Sequence, residues 1–136
     1  MCGITIAFKP SPPVTYETSG FFCGKVEPKT KHWTPKSATE VKCVLEGLPP
    51  EHLNSRKLRV QAYKGSCGKF LLCDFEFETN SPFKTDIVPF DPMPGNRTNT
   101  CLVFTFDLDK GVASNIRLRE AECTESSAFI CVQRDF

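Results

Sequence analysis

Apolar and polar residues alternate with a period of two along most of this chain, most sharply in two places. Leu71, Cys73, Phe75 and Phe77 fall on one side of an extended backbone, and Leu72, Asp74, Glu76 and Glu78 fall on the other. Leu102, Phe104, Phe106 and Leu108 repeat the pattern against Val103, Thr105, Asp107 and Asp109. Successive side chains of a strand point to opposite faces, so both runs predict strands with one core face and one wet face. Their aromatic content suits a pleated, half-buried surface. Shorter runs at 4–8, 41–45, 58–63 and 116–118 predict further strands. The nearly continuous apolar stretch 128–132 predicts one buried on both faces.

Proline and glycine mark the breaks. Pro10, Pro12 and Pro13, then Pro49 and Pro50, then Pro89, Pro92 and Pro94 belong in turns or at edges, because proline cannot donate to a sheet ladder. One segment, 34–47, reads two ways. Thr34-Pro35 before Ala38, with Gly47 at the end, has the punctuation of a capped helix, whereas Val41, Cys43 and Leu45 alternate with Glu40, Lys42 and Glu46 as in a strand. With 34–47 taken as a strand, about seven short strands predict an all-β fold, an antiparallel sandwich or distorted barrel cross-linked by disulfides. With a helix there, the class becomes α+β.

A length of 136 residues is that of one domain, residues 1–136. Eight cysteines, at 2, 23, 43, 67, 73, 101, 123 and 131, are spread irregularly along it. That distribution suits disulfides in an oxidising compartment better than metal pairs or a redox motif. It predicts a secreted, extracellular protein whose signal peptide has been removed. Cys67 and Cys73 would stand about 20 Å apart in a straight strand, far beyond the reach of a bridge, so either a turn at Gly68 joins them or each pairs elsewhere. Cys123 and Cys131 pose the same choice. Asn96-Arg97-Thr98 is an acceptor pattern for N-linked glycosylation in a proline- and glycine-rich stretch.

The net charge of +1, with scattered signs, gives no clustered basic face for nucleic acid, and no apolar stretch is long enough to span a membrane. Neither His32 nor His52 sits in a catalytic or metal-binding motif, and close Cys-x-x-Cys pairs are missing, so no enzyme, cofactor or metal site is expected. Asp107, Asp109 and Gly111 open like a calcium loop, but Leu118 stands where the closing acidic ligand belongs. A solvated turn is the simpler reading.

The most suggestive surface is 25–36, where Lys29, Lys31, His32, Trp33 and Lys36 are gathered around Pro28 and Pro35. An indole among cations could anchor a protein or glycan partner. The competing expectation is that Trp33 turns inward to complete the core. Arg56, Lys57 and Arg59 form a smaller basic cluster whose alternation suits a wet strand face.

The stretch from Cys101-Leu-Val-Phe through Cys123 to Ala128-Phe-Ile-Cys131 resembles the end of a C-type-lectin-like domain. The Trp-Asn-Asp and Glu-Pro-Asn or Gln-Pro-Asp signatures of that family are missing, so the resemblance implies a module without the usual calcium-dependent sugar site. Val41 to Pro50, followed by 58–63, is also similar to two strands of a fibronectin type III or immunoglobulin-like sandwich. The function expected is non-catalytic binding of a protein or glycan through loops such as 25–36 and 91–100. The alternatives are a structural extracellular protein or a carrier of an apolar ligand.

Overall fold

The structure is a computed structural model that describes residues 4–8, 31–48, 57–66, 68–73, 81–95, 97–125 and 127–134. Among these residues the chain runs β1 (Ile4–Phe8), β2 (Lys31–His32), α1 (Ala38–Gly47), β3 (Lys57–Lys64), β4 (Phe70–Leu72), β5 (Phe90–Asp91), β6 (Thr100–Asp109), β7 (Val112–Glu122) and β8 (Cys131–Arg134). The class is mostly β, with one helix among the described residues, the α+β alternative of the sequence reading.

Segment 34–47 is thus a helix and not a strand. Ser37 caps it, its hydroxyl accepting from the Glu40 amide at 3.1 Å, while the Glu40 carboxylate reaches back to the Lys36 amide at 2.5 Å. These reciprocal bonds satisfy amides that the first turn leaves without helical partners. Val41, Val44, Leu45 and Leu48 then fall on one face at helical spacing, and all four are buried. The alternation at 41–46 was coincidental with this spacing. The same helix removes the likeness to a fibronectin or immunoglobulin sandwich, which needed a strand there.

A three-stranded sheet has the order β1-β8-β2, and a five-stranded sheet the order β4-β3-β6-β7-β5. All pairings are antiparallel except β5 with β7. The long β6–β7 hairpin turns at Lys110 and Gly111, both with positive φ (52° and 79°), as a two-residue turn matched to strand twist requires. Asp107 and Asp109 lie exposed on this hairpin, so the calcium-like spacing is a solvated turn. The expected short strand at 116–118 is the middle of the 11-residue β7.

Register divides the large sheet into two faces. Leu58 pairs with Phe104, and Phe104 with Leu118; this face, with Leu102, Val60 and Ala62, packs against α1. Trp33 joins the same core, 5.5 Å from the Phe104 ring. Residues 128–132 are all buried, as their nearly unbroken apolarity predicts, and they bridge the two sheets. The Arg59 amide donates to the Ala128 carbonyl at 2.8 Å, and the Trp33 amide to the Ile130 carbonyl at 3.1 Å.

Cys101 at the start of β6 is bonded to Cys123 just after β7, with Cα atoms 5.0 Å apart. Cys123 therefore does not pair with Cys131, which, like Cys43, is in a disulfide of its own. Cys73 is half-buried after β4, and Cys2, Cys23 and Cys67 lie outside the described residues. No described helix is long and apolar enough to cross a membrane.

Candidate functional site

In the described part of the 25–36 segment, the ring side chains turn inward. Trp33 is fully buried and His32 is 5% exposed, so neither can anchor a partner. The β2 strand draws them inward: His32 pairs with Cys131, stacks on Phe129 with ring centroids 5.3 Å apart, and lies near the buried Arg59. Lys36 is exposed, Lys31 is described only through its backbone in β2, and Lys29 and Asn96 lie outside the described residues.

Burial pushes the His32 pKa down to about 3, and the Arg59 charge adds to the effect. The unfolded chain therefore binds a proton near pH 6.5 that the folded chain refuses. Stability contributed by neutral His32 is complete above pH 6.5 and falls as the pH drops towards 3. Between pH 6.5 and 5 the loss is expected to be about 2 kcal/mol, at about 1.4 kcal/mol per pH unit. Urea denaturation at pH 7 and 5 checks this, because His32→Phe, which keeps the ring stack, should flatten the dependence in that window.

A different site forms where the core face of the large sheet ends. Running back along β6, Phe104 and Leu102 give way to Thr100, and running forward along the antiparallel β7, Leu118 gives way to Glu120, so the apolar stripe finishes in polar side chains on the same face. Glu120 is 2% exposed. Its carboxylate accepts from the Met93 amide at 2.9 Å and from the Thr100 hydroxyl, and the Lys64 ammonium stands 3.8 Å away. One buried carboxylate thus fastens both ends of the 93–100 loop, while the Asn99 amide donates to the Lys64 carbonyl at 2.7 Å.

Above this pair opens a pocket of about 350 Å³. Phe70, Phe83, Phe90, Pro82 and Pro92 supply apolar walls; Lys64 and Glu120 supply a donor and an acceptor at the base, with Lys69 at the rim. Phe70 meets Phe90 edge-on at 5.7 Å, and the Lys64 ammonium lies 6.0 Å from the Phe70 centroid. Apolar walls with a few convergent polar groups are the usual makeup of a small-ligand site. A second, larger depression runs along α1, lined by Ala38, Thr39, Lys42, Cys43, Glu46 and Gly47.

On the opposite face, side chains one position away in sequence form ion pairs. Arg117 holds Asp91 through two bonds of 2.6 and 2.5 Å, and Glu125 Oε1 accepts from Lys57 at 2.8 Å and from Arg119 at 3.0 Å. The buried Arg59 guanidinium donates to the Glu125 backbone carbonyl. Hydrogen bonding from Arg117 holds the Asp91 carboxyl below its ordinary range. For Glu125, burial would raise the pKa, but Lys57 and Arg119 outweigh it and the carboxyl titrates lower. Among the described residues no group of three or more His, Cys, Asp or Glu side chains could hold a metal ion.

No protein-family model and no curated protein sequence matches the chain. Among solved structures it is similar to TC14, a C-type lectin from the tunicate Polyandrocarpa misakiensis, with a TM-score of 0.58 and 16% identity over 98% of this chain and 99% of that one. The likeness spans the whole domain, not only the Cys101–Cys131 stretch where the sequence resemblance lies. The architecture built by these strands, this helix and the Cys101–Cys123 bridge is that of a C-type lectin fold.

Proposed function

We propose that the protein is a secreted, non-catalytic binding module that takes a saccharide unit of a glycan in the Phe70–Phe90 pocket without calcium. The observation that carries this reading is the pocket itself, in which aromatic rings stand beside a buried carboxylate and ammonium. A sugar ring has apolar C–H faces that pack on aromatic rings, and hydroxyls that donate to a carboxylate or accept from an ammonium. At about 350 Å³ the pocket lies at the small end of ligand sites, which suits one or two rings. The bonds from Met93 and Thr100 to Glu120 hold the loop beside the pocket in place before any ligand arrives, which lowers the ordering cost of binding. The disulfides support an extracellular setting, where Asn96 would carry an N-linked glycan. The glycan of Asn96 is checked by the mass shift after amidase treatment of protein secreted from a eukaryotic host.

The test is saturation-transfer NMR against a panel of neutral monosaccharides and disaccharides in the presence of a calcium chelator. Transfer to at least one sugar is expected, and it should be lost in Phe90→Ala and weakened in Glu120→Gln, each checked for a native fold. Binding that requires added calcium, or that survives Phe90→Ala unchanged, would refute the proposal.

A further inference from the structure

The charges around the Phe70–Phe90 pocket bear on which saccharides it takes. Among the described residues three charged side chains line it, Lys64, Lys69 and Glu120. Lys64 and Glu120 face each other at the base, 3.8 Å apart and nearly buried, so their charges offset one another. Lys69 stands exposed at the rim, and no described carboxylate forms an ion pair with it. Lys84 and Asp86, exposed on either side of Thr85, stay out of the lining and carry opposite charges. Resting on the glycan reading above, we propose that the saccharide unit is an acidic one, a sugar ring bearing a carboxylate, and that Lys69 holds this carboxylate.

The base of the pocket has little to offer an anion. A carboxylate has about four lone-pair sites. Glu120 already accepts from the Met93 amide and the Thr100 hydroxyl and faces the Lys64 ammonium. It keeps room for one hydroxyl donor and repels a second carboxylate. An acidic sugar therefore enters with a hydroxyl edge towards Glu120 and its charge outward, on the side of Lys69. A hexuronic acid is no larger than the neutral hexose, so it adds the charge without asking more of a pocket of about 350 Å³.

The turn between β3 and β4 sets the backbone of this cation. The Gly65 amide donates to the Lys69 carbonyl at 3.3 Å, and the Gly68 amide to the Gly65 carbonyl at 3.0 Å. Gly68 has a φ of 76°, a conformation that glycine adopts without strain, and a Cβ built there would meet nothing within 4 Å. The rim beside Lys69 is therefore open to a ligand. The facing wall is fixed as well: the Phe83 amide donates to the Phe70 carbonyl and the Leu72 amide to the Ser81 carbonyl, both at 3.0 Å. Apolar walls and rim cation both rest on hydrogen-bonded backbone, so a ring packed on the aromatics brings an outward carboxylate to the same lysine. Sugar carboxylates are ionised at neutral pH, as ordinary carboxyl groups are.

The experiment is a ligand-observed NMR titration of the full chain, with a calcium chelator present, using methyl β-glucuronide, the methyl glycoside of N-acetylneuraminic acid, and methyl β-glucoside as the neutral reference. At least one acidic glycoside should bind about fivefold tighter than the glucoside, the scale of one partly exposed ion pair. The difference should shrink as salt is raised. Lys69→Gln should bring the acidic glycoside down to the affinity of the glucoside. Lys84→Gln, a charge loss outside the lining, should leave the preference unchanged. Both lysines are exposed, so neither substitution empties a packed site. Equal affinity for the glucoside and both acidic glycosides would overturn this inference and leave the glycan reading standing. So would a preference that persists in Lys69→Gln. Tighter binding of glucoside 6-sulfate than of either acidic glycoside would overturn the choice of a carboxylate. No transfer to any of these sugars would sink this inference and the glycan reading together.

Discussion

Replacing Trp33 by alanine is expected to lower the free energy of unfolding by about 3–5 kcal/mol, the range for emptying a large aromatic site in a packed core. The indole is fully buried against Phe104, and its backbone sits at a junction. The Trp33 amide donates to Ile130, and its carbonyl accepts from the Gln61 amide at 3.2 Å, so one residue ties the 127–132 segment to β3. Alanine keeps those backbone bonds and empties the space between helix and sheet. Trp33→Phe should cost much less, because it keeps most of the ring and removes an indole N–H that has no acceptor among the described residues. Urea denaturation of the three proteins measures the series. A loss below about 1 kcal/mol for Trp33→Ala would mean that the site collapses around the missing ring, against the rigid packing described.

Glu120→Ala is expected to destabilise by a similar amount, about 3–5 kcal/mol, because it removes a charged partner of a nearly buried ammonium. The Lys64 side chain is 8% exposed, and the Met93 amide and Thr100 hydroxyl lose their acceptor with it. The double substitution Lys64→Met/Glu120→Leu should recover much of that loss, since neither charge is then left alone. A double-mutant cycle isolates the coupling. If the double variant is no more stable than Glu120→Ala, the pair is not the source of the cost. Amide exchange at Met93 gives a second readout: it should quicken in Glu120→Ala as the loop loses its hold.

The strands were legible where one face is core and the other is water. Leu102, Phe104 and Phe106 announce β6, although Cys101 and Val103 on the other face are buried as well, and the strand leaves the core only at Asp107. The helix was harder, because Val41 and Leu45 fit a period of two as well as a period of 3.6. Ser37-Ala-Thr-Glu40 was the deciding signal, a capping box just ahead of the run, and Val44 supplies the helical spacing that the alternation of Val41, Cys43 and Leu45 hides. The pocket could not be read from sequence at all. Lys64, Phe70, Phe90 and Glu120 are strangers along the chain, and only the order β4-β3-β6-β7-β5 brings them together. The ion-paired face was half visible: Lys57 and Arg59 were evident as a cluster, but Arg117 and Arg119 join them only through the β6 register. Trp33 turns inward, as the burial expected of so large an apolar ring favours. Its neighbours in sequence are lysines, while its neighbours in space are Phe104 and Ile130.

The pairing of β1 with β8 has a consequence for how such a unit is handled. Ile4 and Arg134 are register partners, so the first and last described residues lie about 5 Å apart. Chain entering and chain leaving pass through one small doorway. A domain built this way can be spliced into a loop of a host protein with little strain on either. Its ends can also be joined by a short linker and new ends opened at the Lys110–Gly111 turn. Such a circular permutant should keep the Cys101–Cys123 bridge and both sheets, and would carry its fusion partner at the β6–β7 turn.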